Sequence, residues 1–156
     1  MPDPTNAFRA DVKYALRISI ALPRERVAEL FGDPQTWQHW QMSLVDYEPM
    51  SGKPGEPGSK TRLLHRFGRR CVEMIESVES SNLPEELVCV YEAPGAWNRV
   101  AHRFHELTPT ETDWEFDTEF RCTGPLRLLA WLAPGVFRKA SLRDMQAFKR
   151  FAEATA

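Results

Sequence analysis

The C-terminal part of the chain has the hydrophobic periodicity of an amphipathic helix. Between Pro125 and Ala154, apolar side chains recur every three or four residues, and basic and polar side chains occupy the opposite face. Pro134 and Gly135 interrupt this pattern, because proline removes an internal hydrogen bond and glycine adds backbone freedom. The pattern therefore predicts a long terminal helix, divided near Pro134, that packs one face against an apolar surface.

Strand-like alternation dominates the chain before this helix. Residues 12–22 alternate apolar and polar side chains, and residues 113–122 place aromatic residues on one face and acids on the other. Five further strand-like segments follow between Leu44 and Leu107, separated by turns rich in proline and glycine. Two short helices are predicted after the first strand, with Pro23 in the first turn of one and Asp33 as the N-cap of the other. We expect an α+β fold in which a seven-stranded curved antiparallel sheet wraps around the long C-terminal helix.

Length and composition favour one domain. The chain has 156 residues, and no linker or repeat divides it. Residues 1–11 contain two prolines and no apolar segment, so we expect a flexible tail at 1–11, without a secretion signal, and a single domain at 12–156. Cys71, Cys89 and Cys122 have no paired spacing, which favours reduced thiols and a cytoplasmic location.

The charge distribution and the absence of motifs limit the partners. The net charge is −2, and the chain lacks the clustered basic surface that nucleic-acid binding requires. No metal-binding, nucleotide-binding or phosphate-binding motif is present, so we expect neither a metal nor a cofactor. The oligomeric state, monomer or homodimer, stays open.

The inward-facing positions of the predicted sheet and helix converge on one apolar interior. A single helix cannot fill the concave face of a strongly curved sheet completely, so we expect a ligand-sized cavity. The alternative is that the many aromatic side chains fill it. The residues expected to line the cavity are Tyr14, Leu16, Ile18, Trp37, Trp40, Leu63, His65, Phe67, Met74, Val100, His102, Phe104, Trp114, Phe116, Phe120, Met145 and Phe148.

Three side chains are candidates for chemistry in that interior. His65 and His102 share strand faces with apolar neighbours and could act as acid and base near neutral pH, although a hydrogen-bonded core histidine is the more common case. Asp144 falls within the apolar stripe of the terminal helix, where an unpaired carboxylate is costly. Glu76 is a weaker case of the same kind. The sequence by itself assigns none of them a catalytic role.

The order of elements resembles a known superfamily. A strand, two short helices with Trp37 and Trp40 at the second, six antiparallel strands and a long terminal helix are similar to the START-like helix-grip (SRPBCC) superfamily, particularly its bacterial polyketide cyclase/dehydrase-like branch. The matching segments are VAELFGDPQTWQHW, ESVESSNLPEELV and FKRFAE. The resemblance implies a deep cavity between sheet and helix that accepts a hydrophobic small molecule. Different members use it for lipid or sterol transport, hormone binding or aromatic ring closure.

Three functions are consistent with these observations. The first is binding of a hydrophobic or amphipathic small molecule, such as a lipid, polyketide or isoprenoid-like compound, in the internal cavity. The second is a cyclase or dehydratase-type enzyme that uses cavity His and Asp side chains as acid and base. The third is peripheral lipid transfer through transient membrane contact. The residues expected to contact a bilayer are Leu126, Leu128, Leu129, Trp131 and Leu132, with Arg127, Arg138 and Lys139 at anionic headgroups.

Overall fold

A computed structural model describes residues 9–155 of the protein. Strand β1 begins at Ala10, two residues before the expected boundary, and residues 1–8 of the predicted tail lie outside the described residues. The elements are β1 Ala10–Ile20, α1 Arg24–Gly32, a 3-10 turn Pro34–Thr36, α2 Trp37–Trp40, β2 Leu44–Ser51, β3 Lys60–Phe67, β4 Arg70–Asn82, β5 Glu86–Ala93, β6 Ala96–Thr108, β7 Glu111–Cys122, α3 Pro125–Leu132 and α4 Gly135–Thr155.

The seven strands form one antiparallel sheet in the order β1-β7-β6-β5-β4-β3-β2. Strands β2 to β7 are a meander, whereas β1 pairs with β7, from Ala10 opposite Cys122 to Ile20 opposite Thr112. Helices α1 and α2 therefore connect the two edge strands, β1 and β2, across the opening of the sheet. The expected seven-stranded antiparallel sheet with a long C-terminal helix is confirmed.

Helix α4 packs on the concave face of the sheet through its apolar stripe. Met145, Phe148 and Ala152 are fully buried. The Phe148 ring meets the rings of Phe31 and Trp114 edge-on, at centroid distances of 5.5 and 5.4 Å. Edge-to-face contacts of this kind add to the free energy gained from burying the rings. The centre of the core is thus an aromatic cluster that joins α1, β7 and α4.

The short helix α2 is held against this core by its two tryptophans. Asp33 accepts a hydrogen bond from the backbone amide of Gln35 at 3.0 Å, as expected for an N-cap. The Trp37 indole donates to the carbonyl oxygen of Phe31 at 3.2 Å. Trp37 and Trp40 are both buried. Their packing fixes the position of α2 at one end of the space between sheet and helix.

One residue expected in the interior lies outside it. Phe67 is 54% exposed. It is the last residue of β3, where the strand leaves the concave surface and turns into β4, and its ring stacks on His65 at 6.0 Å. The alternation of β3 was correct up to His65, but the strand ends before the next inward position is covered. Phe67 is therefore corrected from a cavity residue to a surface residue.

The division of the terminal helix is confirmed. Helix α3 ends at Leu132 and α4 begins at Gly135, with Pro134 between them. Neither of these helices, nor any other in the described residues, has the length and apolar character needed to cross a membrane.

Replacing Phe148 by alanine is expected to lower the free energy of unfolding by about 3–5 kcal/mol, because the change removes buried apolar surface and leaves a cavity. Phe67→Ala removes the same atoms from an exposed side chain and is expected to cost less than about 1 kcal/mol. Urea denaturation followed by circular dichroism measures both values. Similar losses for the two variants would contradict the central position assigned to Phe148.

Candidate functional site

A row of polar side chains crosses the concave face of the sheet. Glu76 on β4 lies opposite Tyr91 on β5, and Tyr91 lies opposite Asn98 on β6. Residues directly opposite one another in antiparallel strands point to the same face, so these three side chains are neighbours. Glu76 is in phase with Val78, which is buried in the core. The polar row, Glu76, Tyr91 and Asn98, therefore faces the interior.

Glu76 and Tyr91 form a hydrogen-bonded pair in which the pKa of each group is raised. Glu76 is only 7% exposed, and burial raises the pKa of its carboxyl group to about 6, although the hydrogen bond from Tyr91 opposes this rise. Burial, reinforced by the charge of Glu76, raises the pKa of the Tyr91 hydroxyl well above its ordinary value. Near neutral pH, a phenol that stays protonated thus adjoins a carboxyl group that exchanges its proton readily.

Asn98 extends the polar row toward β7. Its side-chain amide donates to the Thr118 hydroxyl at 2.7 Å and to the carbonyl oxygen of Glu119 at 3.0 Å. Thr118 lies opposite Tyr14 on β1. Polar groups consequently continue across the sheet from β4 to β1, with their positions held by hydrogen bonds.

Tyr14 joins this face of the sheet to α4. Its hydroxyl donates to the carbonyl oxygen of Phe137 at 2.9 Å and lies 2.6 Å from the hydroxyl of Ser141. A phenol has one hydrogen to donate, so the Ser141 hydroxyl is the donor in the second contact. Asp144 follows Ser141 by three residues on the same face of α4. Burial raises the pKa of the Asp144 carboxyl to about 6.

These side chains have the surroundings expected of a cavity wall. Burial raises the pKa of Tyr14, Tyr91 and Asp144, so protein surrounds each of them. Each nevertheless keeps part of its surface accessible. Side chains that are enclosed by protein but still partly accessible have the surroundings that a small-molecule site needs. Tyr91 lies on the concave face of the sheet, and Tyr14 and Asp144 lie where β1 meets α4.

The other predicted site residues divide by burial. Five are half-buried and pack against the core, namely Tyr14, Ile18, Met74, Phe116 and Phe120. The fully buried residues are Leu16, Trp37, Trp40, Leu63, His65, Val100, His102, Phe104, Trp114, Met145 and Phe148. Aromatic residues therefore fill the end of the interior near α1 and α2, while the half-buried and polar residues lie toward β1 and the start of α4.

The structure does not bring the two candidate histidines together. His102 accepts a hydrogen bond from the Trp114 indole at 3.3 Å and lies 4.7 Å from the Phe31 ring. Burial lowers its pKa to about 3, so the ring is neutral near pH 7. His65 lies on β3, three strands from β6, and the two residues are also offset along the strands, because His65 pairs with Val72 of β4 whereas His102 is in register with Ser81 of β4 through Leu87. These placements assign His102 to the aromatic packing and do not support a shared His65–His102 acid–base site.

His65 has a local partner at the edge of the sheet. Its Nδ1 atom lies 2.8 Å from the hydroxyl of Ser43, and burial lowers its pKa. It pairs with Leu44 on the edge strand β2. Of the three candidates for chemistry, Asp144 alone shares the wall that carries Tyr14 and Ser141.

Tyr91, Asn98 and Ser141 were not among the predicted site residues. Tyr91 and Asn98 lie two residues from the buried Cys89 and Val100 on the same strand faces, and Ser141 lies on the inner side of α4 beside Tyr14, so each had a usable local signal. Their assembly into one row depends on strand register, which the alternation does not contain. The sequence pattern therefore identifies single members such as Glu76 but not the row.

The described residues provide no site for a metal ion, because no three His, Cys, Asp or Glu side chains in 9–155 come together as ligands. The three cysteines are free. Cys89 lies beside Tyr91 in the interior, and burial raises the pKa of its thiol well above its ordinary value. A thiol that stays protonated is a weak nucleophile. The chemistry of the site is therefore that of carboxyl and hydroxyl groups.

Glu76→Gln is expected to change how stability depends on pH. The carboxyl pKa is about 6 in the folded protein against 4.5 ordinarily, so the folded state binds the proton more tightly and wild-type stability falls as pH rises through this interval. Glutamine does not ionise. The free energy of unfolding of the variant relative to wild type should therefore increase by about 2 kcal/mol between pH 4 and pH 7.

Urea titrations at the two pH values measure this difference. Glu73→Gln, at an exposed acid on the same strand, is the matched control and should show a much smaller change. A constant difference between Glu76→Gln and wild type at the two pH values would contradict the burial of a titrating Glu76.

Comparisons with known proteins agree with this architecture. The profile of the polyketide cyclase/dehydrase and lipid transport family matches residues 11–153. No curated protein matches the sequence.

Solved structures share the fold at low sequence identity. An aromatase/cyclase from a Streptomyces species has a TM-score of 0.75 at 15% identity, covering 92% of this chain and 94% of the other. A START superfamily protein from Mycobacterium smegmatis has a TM-score of 0.70 at 11% identity, covering 92% and 96%. A conserved protein from Geobacillus kaustophilus has a TM-score of 0.76 at 13% identity, covering 94% and 96%.

At such identities the structural likeness supports the fold alone, and the profile match supplies the family. The match extends from the start of β1 to the last turns of α4. This protein therefore belongs to the polyketide cyclase/dehydrase and lipid transport family, within the START-like helix-grip superfamily.

Proposed function

We propose that this protein binds an amphipathic small molecule between the sheet and α4. The observation that carries the proposal is the presence of two polar walls enclosed by protein. Glu76 and Tyr91 lie on the sheet, and Tyr14 and Asp144 on the β1–α4 side. Tyr91, Tyr14 and Asp144 remain partly accessible.

The apolar part of such a ligand has an aromatic wall to contact. Phe116 and Phe120 on β7 are half-buried, and the Tyr14 ring stacks near both of them, at 6.5 and 6.2 Å. Burial of apolar surface contributes about 25 cal/mol per Å². Removing about 300 Å² of ligand surface from water would thus provide roughly 7 kcal/mol of favourable free energy before the costs of association.

The polar groups would determine which end of the ligand points inward. Tyr91 stays protonated and donates, whereas the Glu76 carboxyl accepts a hydrogen bond when ionised and donates one when protonated. A hydroxyl or carbonyl group on the ligand satisfies either state. A wholly apolar ligand would make no use of the hydrogen-bonding capacity that remains on the Glu76 carboxyl group. This chemistry favours oxygenated apolar molecules such as polyketides, fatty alcohols or isoprenoid alcohols.

Family membership supports the same ligand class. The family is described by polyketide cyclisation or dehydration and by lipid transport, and all of these involve largely apolar, oxygenated molecules. The family description does not distinguish carriers from enzymes, so that choice depends on the residues of the site.

An acid–base enzyme on the same scaffold is the second candidate. A carboxyl group with a pKa of about 6 is suited to proton transfer near neutral pH, and Asp144 and Glu76 both have this property. One carboxylate would remove a proton from the carbon beside a ligand carbonyl, and a protonated carboxyl would return a proton to a departing hydroxyl as water. This candidate replaces the histidines of the sequence-based hypothesis with two carboxyl groups.

Native mass spectrometry of the freshly purified protein tests the binding proposal. We expect an apolar, oxygenated passenger or, after delipidation, stoichiometric uptake of a fatty alcohol such as decanol. Phe116→Glu places a charge on the cavity wall and is expected to abolish uptake. Leu107→Glu makes the same kind of change at a side chain that is 54% exposed and should bind as wild type does.

Circular dichroism establishes that each variant is folded. A folded Phe116→Glu protein that retains its passenger would contradict the location of the cavity. A wild-type protein that carries no passenger and binds no decanol would contradict the binding proposal itself.

Asp144→Asn separates the carrier from the enzyme. For a carrier, the variant should retain a passenger or decanol with less than about a tenfold loss of affinity, because asparagine keeps the hydrogen-bonding capacity. For an enzyme, turnover of an enolisable polyketide-like substrate should fall by about 100-fold or more while binding is retained. Product formation measured at saturating substrate, together with a binding titration, gives both values. Unchanged turnover in both Asp144→Asn and Glu76→Gln would reject the acid–base mechanism.

A further inference from the structure

The outer face of α3 and the start of α4 form an exposed apolar surface. Ten large apolar side chains are exposed in the described residues, and five of them fall within nine consecutive positions. Trp131, the most exposed, has 74% of its surface accessible. We call these five the apolar patch: Leu128, Leu129, Trp131, Leu132 and Val136.

The orientation of α3 is the reverse of that of an ordinary surface helix. Its contact with the sheet is made by Ala130, which is buried against Val12 and Cys122, and by half-buried Leu126. The larger side chains of the helix point away from the protein. A surface helix of a globular protein normally turns its large apolar side chains inward. Contiguous exposed apolar surface of this kind marks an interaction site.

The described part of the sheet does not cover the patch. A groove of about 460 Å³ separates Trp131 and Pro134 from the first residues of β1, and Arg9, Asp11 and Lys13 lie on its other side. The patch is therefore open at its edge.

The segment of the chain that carries the patch is rich in basic residues. Residues 123–143 contain four bases and no acid, although the whole chain has a net charge of −2. The four bases, all exposed, are Arg127, Arg138, Lys139 and Arg143.

The acids of β7 are compensated elsewhere. Asp113 pairs with Arg17, and Glu115 lies 3.3 Å from Arg103 on β6. These two acids of β7 thus have basic partners within the sheet, and neither of them is paired with Arg138 or Lys139. An apolar surface with a positive rim complements a partner that has negative groups at its surface and an apolar interior behind them.

We propose that the apolar patch docks on an anionic phospholipid bilayer, with Trp131 and Leu132 in the interfacial region and Arg138 and Lys139 at the phosphate groups. Tryptophan is favoured at this depth because its ring is amphipathic, and each nearby base adds attraction to anionic lipid. A symmetric dimer through the patch is less favourable, because it would place the same basic rim against itself. This docking does not depend on whether the cavity holds a ligand.

Co-sedimentation of the full chain with vesicles tests the docking. We expect binding to phosphatidylcholine vesicles that contain phosphatidylglycerol, weaker binding to phosphatidylcholine alone, and a loss of the difference at high salt. Combining Trp131→Glu with Leu132→Glu is expected to reduce binding at least about tenfold, because two charges would enter the interface.

A matched control variant combines Met42→Glu with Leu107→Glu. It makes the same change in net charge at side chains that are 71% and 54% exposed, outside the patch, and should bind as wild type does. Circular dichroism checks folding. If the patch variant does not fold, Arg138→Gln with Lys139→Gln provides a second test and should remove the preference for anionic vesicles.

Three results would overturn the proposal. The first is no wild-type binding to either vesicle, and the second is equal binding by the patch variant and its matched control. The third is a dimer in buffer, measured by light scattering, that the patch variant dissociates while wild-type protein binds no vesicles. That last result would assign the patch to a second copy of the chain.

Discussion

The contact between α4 and the concave face of the sheet is the constraint on which the rest of the structure depends. Strands β1 and β2 are the open edges of the sheet, and only α1 and α2 link them. Phe148 closes this arrangement, because its ring meets Phe31 of α1, Trp40 of α2 and Trp114 of β7 at 5.1–5.5 Å. A close-packed aromatic centre resists deformation. The packed centre therefore fixes how the sheet and α4 face each other on either side of it.

The division of the interior into a packed end and a polar end explains where binding is proposed. Burying Glu76 and Asp144 destabilises the folded protein at neutral pH, since both carboxyl groups must give up water to remain charged. Groups with such shifted pKa values occur preferentially at functional sites. His102 is also buried, but its neutral ring accepts a hydrogen bond from Trp114 and its interaction is satisfied within the core. The carboxyl groups, rather than the histidines, are therefore the groups that we propose to contact a ligand.

The proposed cavity and the proposed membrane surface meet at the start of α4. Val136 is exposed in the apolar patch, whereas Phe137 turns inward and packs on Phe120 at 4.9 Å. The carbonyl oxygen of Phe137 also accepts the hydrogen bond from Tyr14. Val136 and Phe137, which are adjacent in the chain, thus face the apolar patch and the interior respectively. A bilayer docked on the patch would lie near the Tyr14 side of the interior, which gives an apolar ligand a short route between lipid and protein.

The sequence by itself determined the secondary structure and the fold class, because alternation in β1 and β7 and the stripe of α4 are local signals of which side chains avoid water. It also placed Asp144 on the inner face of α4 and identified the break at Pro134. The tertiary structure decided which polar residues meet. Glu76, Tyr91 and Asn98 are far apart in the chain, and only the pairing of three strands makes them neighbours. The same is true of Phe67, whose exposure depends on where β3 ends, and of His65 and His102, which strand order separates. Periodicity fixes the face of a residue within its own element, whereas register and strand order, which arise from long-range packing, fix its neighbours.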